Sequence, residues 1–173
     1  MDRIAFVVPW YGVNIPGGSE HACRNLAERM SRKGIQVEVL TTCVKQFNSD
    51  WSHNYYKPGT EAINNVLVRR FKVRKRDTAA FDNINRKLMQ NIPVSYEEEK
   101  IFLAEMINSD DLVRYLKENR QNYNAFLFIP YMFGTTYNGI QQVLDRAVLM
   151  PAFHDESYAY FKSFRDVYSK VKG

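Results

Sequence analysis

The stretch VVPWYGVNIPGGSEHA places Gly17 and Gly18 directly before a run with helical spacing. A glycine pair there lets a ligand approach bare backbone. The first turn of a helix adds unpaired N–H groups at a positive dipole end. Phosphate and sugar oxygens are the groups such a place attracts; a tight turn needing positive φ is the structural alternative. Neither G-x-G-x-x-G nor a G-K-[ST] loop is present, so the dinucleotide fingerprint and the P-loop are both missing. A second stretch, LMPAFHDESYAY, puts His154 just after an apolar run, with Asp155 and Glu156 beside it. A histidine there can donate a hydrogen bond or hold a charge near neutral pH. The two acids either orient it or complement the start of the last helix. A third stretch, FIPYMFGTTYNG, brings Tyr131, Thr135 and Thr136 to the end of another apolar run. An aromatic face and hydroxyls suit a carbohydrate; helix capping by Thr135 and a turn at Gly134 are the alternative. His21 and His53 have no ligand partners at metal spacing, so no metal site is expected. Without G-x-S-x-G or a Cys–His pairing, hydrolase chemistry has little support.

These residues need elements that bring them together. Residues 4–8 are a continuous apolar run, suited to a strand covered on both faces. A helix follows, with Ser19 as the expected N-cap, Ala22, Leu26 and Met30 at i, i+4, i+8, and Gly34 as its stop. Gln36–Thr42 is the next strand, which makes a βαβ unit and implies a parallel sheet. Residues 43–64 lack periodicity and are expected to be a long loop. Residues 65–73 form a third strand, and residues 77–93 are irregular apart from a short helix near Ile84 to Met89. Ser95 and Glu98 spell a capping box, followed by an apolar stripe of Phe102, Met106 and Ile107. SDDLVRYLKENR is a further helix capped by Ser109 or Asp110. Residues 125–130 and 147–153 are buried strands, FGTTYNGIQQVL is a short helix, and residues 156–172 form a closing amphipathic helix. Strands alternating with helices imply a single α/β domain over residues 1–173, with a mostly parallel open sheet. Gly17, Glu20, Tyr131 and His154 each follow a strand end. They should therefore gather at the carboxyl edge, where open α/β sheets bind ligands.

A chain of 173 residues, 45% hydrophobic and 25% charged, has the composition of a globular domain. No apolar run approaches the ~20 residues that span a bilayer. Met1-Asp2-Arg3 leads straight into a strand, so no signal peptide is expected. Cys23 and Cys43 are too few for a disulfide framework and read as free thiols in a reducing cytosol. Much of the net charge of +5 comes from RRFKVRKR, residues 69–76. Its alternation with Phe71 and Val73 favours a solvated strand end over nucleic-acid binding, and is compatible with contact to an anionic membrane.

The opening stretch, PWYGVNIPGGSEHACRNLAERMSRKGIQVEVLTT, resembles the start of the N-terminal domain of retaining GT-B glycosyltransferases of the group-four type. Gly17, Gly18 and Glu20 fit that family's Gly-Gly-x-Glu loop. Arg32, Gly34, Val37, Val39, Leu40 and Thr41 fit its pattern after the first helix, although Gly34-Ile35 stands where Gly-His is usual. The resemblance continues through VRRF, FIPYMFGTTYNG and LMPAFHDESYAY. It implies one Rossmann-like lobe that holds the acceptor, with the glycine loop near the donor's diphosphate or transferred sugar and His154 contacting the donor sugar. Gly17, Gly18, Glu20, Tyr131, Thr135, Asp155 and Glu156 would bind substrate. The donor would be a nucleoside-diphosphate sugar, the acceptor a saccharide or lipid-linked molecule, and no metal or other cofactor would be needed. The family's nucleotide-sugar-binding second lobe, with its Glu-x7-Glu pattern, has no counterpart in these residues. The chain by itself is therefore expected to be inactive or nearly so. The free thiols favour a cytoplasmic protein, and the basic run would make its peripheral contact with the inner membrane face. Two rivals differ in class. A non-catalytic α/β ligand-binding domain of flavodoxin-like or response-regulator-like type would lack the acidic cluster a phosphoacceptor needs, since the first strand ends in Pro9-Trp10-Tyr11. A basic nucleic-acid-binding domain has the charge but no recognised motif.

Overall fold

The computed structural model describes residues 3–171. Six strands, β1 (Arg3–Val7), β2 (Gln36–Thr42), β3 (Gly59–Ile63), β4 (Val66–Phe71), β5 (Ala125–Phe128) and β6 (Ala147–Leu149), form one sheet in the order β3-β4-β2-β1-β5-β6. All neighbours run parallel except the β3–β4 pair. Six helices complete the described chain: α1 (Gly18–Arg32), α2 (Thr78–Met89), α3 (Tyr96–Ala104), α4 (Asp110–Asn119), α5 (Gly134–Ile140) and α6 (Lys162–Tyr168). The result is a Rossmann-like three-layer α/β domain.

Strand alternation builds the layers. Phe6 and Val8 join Val37, Val39, Val66 and Val68 in a core with Cys23 and Ala27 of α1. Ala5 and Val7 face the other way and meet Leu112 and Leu116 of α4, with Phe126 and Phe128 of β5. A third cluster lies beyond the strands, where Trp10, Phe81, Phe102, Tyr131, Phe133, Phe161 and Phe164 pack among α2, α3 and α6. That aromatic core covers part of the carboxyl edge.

Several local expectations change. Residues 43–64 are not all loop, because Gly59–Ile63 pairs antiparallel with β4 through a turn at Asn64 and Asn65. Both asparagines have positive φ, 49° and 64°, the conformation a tight hairpin requires. The strand is exposed along most of its length, so burial left no period to read in it. Residues 77–93 hold a full helix: Asp77 caps α2 by accepting from Ala80 N at 3.0 Å, and Phe81, Ile84 and Leu88 face the core. Helix α1 starts a residue before Ser19, with Gly17 at its N-cap; the Ser19 hydroxyl donates to Glu20 instead of capping. Gly34, at φ 83°, follows the end of α1 as expected. The capping box of Ser95 and Glu98 is present, and Ser109 caps α4. Helix α3 ends at Ala104, so Met106 and Ile107 are buried beyond it. The closing segment is broken into a 3-10 turn over Ser157–Tyr160 and the short α6, parted by extended Phe161. Glu99 of α3 caps the second piece through Lys162 N (3.1 Å) and Ser163 N (2.9 Å). Lys172, where the single helix was expected to reach, lies outside the described residues. Strand β6 stops at Leu149 and leaves residues 150–156 irregular.

Candidate functional site

Strand β1 connects through α1 to β2 on one side and pairs with β5 on the other. The gap between β1 and β5 is therefore the point where strand order reverses, the place open α/β sheets use for ligands. The β1–α1 loop, Ile129 and Pro130 after β5, and the segment after β6 all leave the same edge. Gly17, Glu20, Tyr131 and His154 thus lie at one edge, with β6 two strands, about 10 Å, from β1.

Gly17 has φ 123° and ψ 148°, a conformation that excludes side chains. A Cβ there would come within 2.0 Å of Glu20 Oε2. The Glu20 carboxylate folds back over Gly17 because it sits in the first turn of α1, and two donors hold it: Trp10 Nε1 at 2.7 Å and Ser19 Oγ at 2.8 Å. A negative charge already stands at the helix start. The place therefore favours hydroxyl donors, such as a sugar presents, over a phosphate that would have to displace Glu20. The crevice here, lined by Val8, Pro9, Trp10, Glu20, Ile129 and Pro130, encloses only about 10 Å³. Gly18 is open, with nothing within 4 Å of the place a Cβ would take.

His154 is exposed, and Glu156 N donates to its carbonyl at 3.1 Å. Neither acid orients its ring. Asp155 Oδ1 accepts from Tyr160 Oη at 2.9 Å, and Glu156 Oε2 accepts from Tyr131 Oη at 3.1 Å. Tyr131 and Thr135 are at the expected edge but fully buried. Tyr131 packs against Phe153, Tyr158 and Phe164 within the aromatic core, and burial, reinforced by Glu156, pushes its phenol well up. The Thr135 hydroxyl has no hydrogen-bond partner among the described residues. Neither side chain presents a face to a ligand; over Tyr131 it is the third core that closes the edge. Asp155 and Glu156 instead line a separate cavity of about 930 Å³.

Two residues outside the sequence-derived set shape the glycine loop. Arg24 of α1 donates to the carbonyls of Gly12 (3.0 Å) and Val13 (2.5 Å). Arg70 of β4 donates to the Tyr11 carbonyl at 2.9 Å and to Glu61 at 2.6 Å, and lies over the Tyr56 ring at 4.0 Å. The expectation of a solvated basic run at residues 69–76 needs correction here. Arg70 is buried, Arg69 pairs with Glu38 at 2.7 Å, and Arg74 and Arg76 donate to the carbonyls of Ala104 and Glu105 at the end of α3. Cation binding suits those carbonyls, since they form the negative end of a helix. Arg70 shares its strand phase with Val66 and Val68, and that phase was the available signal of burial. Among the described residues, no group of three or more His, Cys, Asp or Glu could hold a metal ion, and no helix is long and apolar enough to cross a membrane. No family model, curated protein or solved structure matches the chain.

Proposed function

We propose that this chain is the N-terminal, acceptor-side lobe of a retaining GT-B glycosyltransferase, moving a hexose from a nucleoside-diphosphate sugar to a saccharide or lipid-linked acceptor. The observation that carries the reading is Glu20, folded over a position only glycine can fill, at the strand-reversal point and on the same edge as exposed His154. In this reading the acceptor hydroxyl oxygen bonds to the anomeric carbon as the carbon–oxygen bond to the diphosphate breaks. The bonding pair leaves with the diphosphate, which also takes the hydroxyl proton. Glu20 accepts hydrogen bonds from sugar hydroxyls, and His154 donates to the transferred sugar as charge develops. A second lobe supplies the nucleotide site, and closure of the cleft expels water. The same reading puts the protein in the cytoplasm, with exposed Lys72 and Lys75 as its contact to an anionic membrane face.

Donor consumption and glycosylated product, assayed in a protein carrying both lobes, test the reading. His154→Ala should lower kcat at least tenfold, since a lost hydrogen bond to developing charge costs ~3 kcal/mol, about a hundredfold in rate. A rise in KM with kcat unchanged would limit His154 to ground-state binding. Sugar transfer at full rate in the mutant would end its proposed role, and ligand binding with no transfer by the wild type would favour the non-catalytic rival.

A further inference from the structure

The cavity of about 930 Å³ at the carboxyl edge has two chemically distinct walls, and its volume falls in the range of small-molecule sites. One wall is apolar. Leu88, Met89 and Ile92, from the end of α2 and the turn after it, stand against Phe161. Met89 is 74% exposed and Ile92 45%, so apolar surface is left uncovered. The other wall is the segment after His154, with the carboxylates of Asp155 and Glu156.

Both carboxylates are held in place. Tyr160 Oη donates to Asp155, and Tyr131 Oη donates to Glu156. The walls are also tied to each other, because Ser157 Oγ bonds to the Leu88 carbonyl and to Asn91 Oδ1, both at 3.0 Å. The groove is therefore preformed. A third lining carboxylate, Glu99, is spent on Lys162 N, Ser163 N and Ser163 Oγ.

The charge of the groove is one-sided. Among the described residues its lining includes no lysine, arginine or histidine, in a chain of net charge +5. No basic side chain lies within ion-pair distance of Asp155 or Glu156 among the described residues. An ionised carboxylate only accepts hydrogen bonds and has about four sites for them, of which one phenol fills one in each case. Two such groups facing an apolar wall select a ligand that donates and carries positive charge. The exposed ring of Tyr160 offers a face on which such a cation can rest.

We propose that this groove binds a protonated amine carried on a sugar ring with an apolar aglycone. It is the acceptor of the transfer reaction; the sugar ring and this role rest on the glycosyltransferase reading, whereas the binding of an ammonium beside an apolar group does not. The apolar wall takes the aglycone, and Asp155 and Glu156 take the ammonium.

The test is a titration of the chain with three matched probes below their micellar concentrations: octyl 2-amino-2-deoxy-β-glucoside, octyl β-glucoside and octyl N-acetyl-β-glucosaminide. Backbone amide shifts are followed by NMR. The aminoglucoside should bind at least tenfold more tightly than either neutral probe. It should shift residues 88–94 and 155–161, and it should weaken as salt is raised. In the Asp155→Asn/Glu156→Gln double variant the preference should shrink to within threefold. Equal affinity of the three probes, shifts confined to other residues, or no binding of the aminoglucoside would overturn the proposal. The wild-type series decides this even if the double variant fails to fold. A basic peptide or a neutral saccharide as the true occupant would show as loss of the amine preference. Amine-selective binding without sugar transfer by the two-lobed protein would keep the groove and end the glycosyltransferase reading. Transfer to a neutral acceptor with no amine preference would do the reverse.

Discussion

Gly17 and Gly18 are neighbours in sequence with opposite requirements. At Gly17, φ is 123° and a Cβ would lie 2.0 Å from Glu20 Oε2; at Gly18 neither constraint exists. Gly17→Ala should therefore cost about 1–3 kcal/mol, from backbone strain together with displacement of the Glu20 carboxylate from Trp10. Gly18→Ala should be neutral or stabilising by up to about 1 kcal/mol, since alanine suits a helical position better than glycine. Urea unfolding of the two variants checks the contrast, and equal midpoints would show that the loop does not hold its glycine-only geometry. Sequence spacing was enough to mark the pair. It could not tell the two apart, because the difference depends on where a carboxylate three residues later folds back.

At the scale of elements, β2 carries a buried carboxylate that reaches partners on both sides of its strand. Glu38 is 1% exposed in a strand whose other buried residues are apolar or hydroxyl-bearing. Its carboxylate meets Arg3 of β1, Arg69 Nε of β4 at 2.7 Å, and Tyr123 Oη just before β5 at 2.6 Å. Arg3 and Arg69 also lie over the rings of Tyr123 and Tyr115. One carboxylate thus ties β2 to β1 and β4, and to the residue that leads into β5, at one end of the sheet. Replacing it removes the counter-charge from two partly buried guanidiniums. Glu38→Gln should lower the unfolding free energy by about 2–4 kcal/mol, with the denaturant slope unchanged. A loss under about 0.5 kcal/mol on the same curve would mean that solvent already satisfies Arg3 and Arg69. Nothing local announces this cluster, since its partners stand 31 to 85 residues away in sequence. The capping box at Ser95 could be read because both of its members lie within one turn.

The whole molecule is rich in buried phenols, and that sets its response to alkali. Tyr11, Tyr123, Tyr131, Tyr158 and Tyr168 all have phenols pushed above the ordinary value of 10, in each case chiefly by burial. Tyr123 is raised further by its hydrogen bond to Glu38. A phenol with a raised folded-state pKa keeps its proton in the native chain after the unfolded chain would have lost it. Its contribution to stability is complete below pH about 10 and declines as pH rises past that value toward the folded pKa. Stability should therefore fall steeply in that alkaline window. Tyrosinate absorbance at about 295 nm from these five residues should rise together with loss of the far-ultraviolet dichroism. Their ionisation well before any loss of secondary structure would contradict the burial described here.

Elements bounded by local signals were readable from the chain alone: the apolar runs of β1 and β5, the glycine stop after α1, the serine caps of α3 and α4. Their alternation also implied a parallel sheet, and hence one shared edge for Gly17 and His154, because each follows a strand end. Burial at that edge was settled by packing among distant segments. Phe81, Phe102, Phe161 and Phe164 assemble the aromatic core that closes over Tyr131. The hairpin strand β3, the buried Arg70 and the groove beside Asp155 have the same origin. Periodicity records whether a residue is suited to an interior, whereas the interior itself exists only once segments far apart in sequence have met.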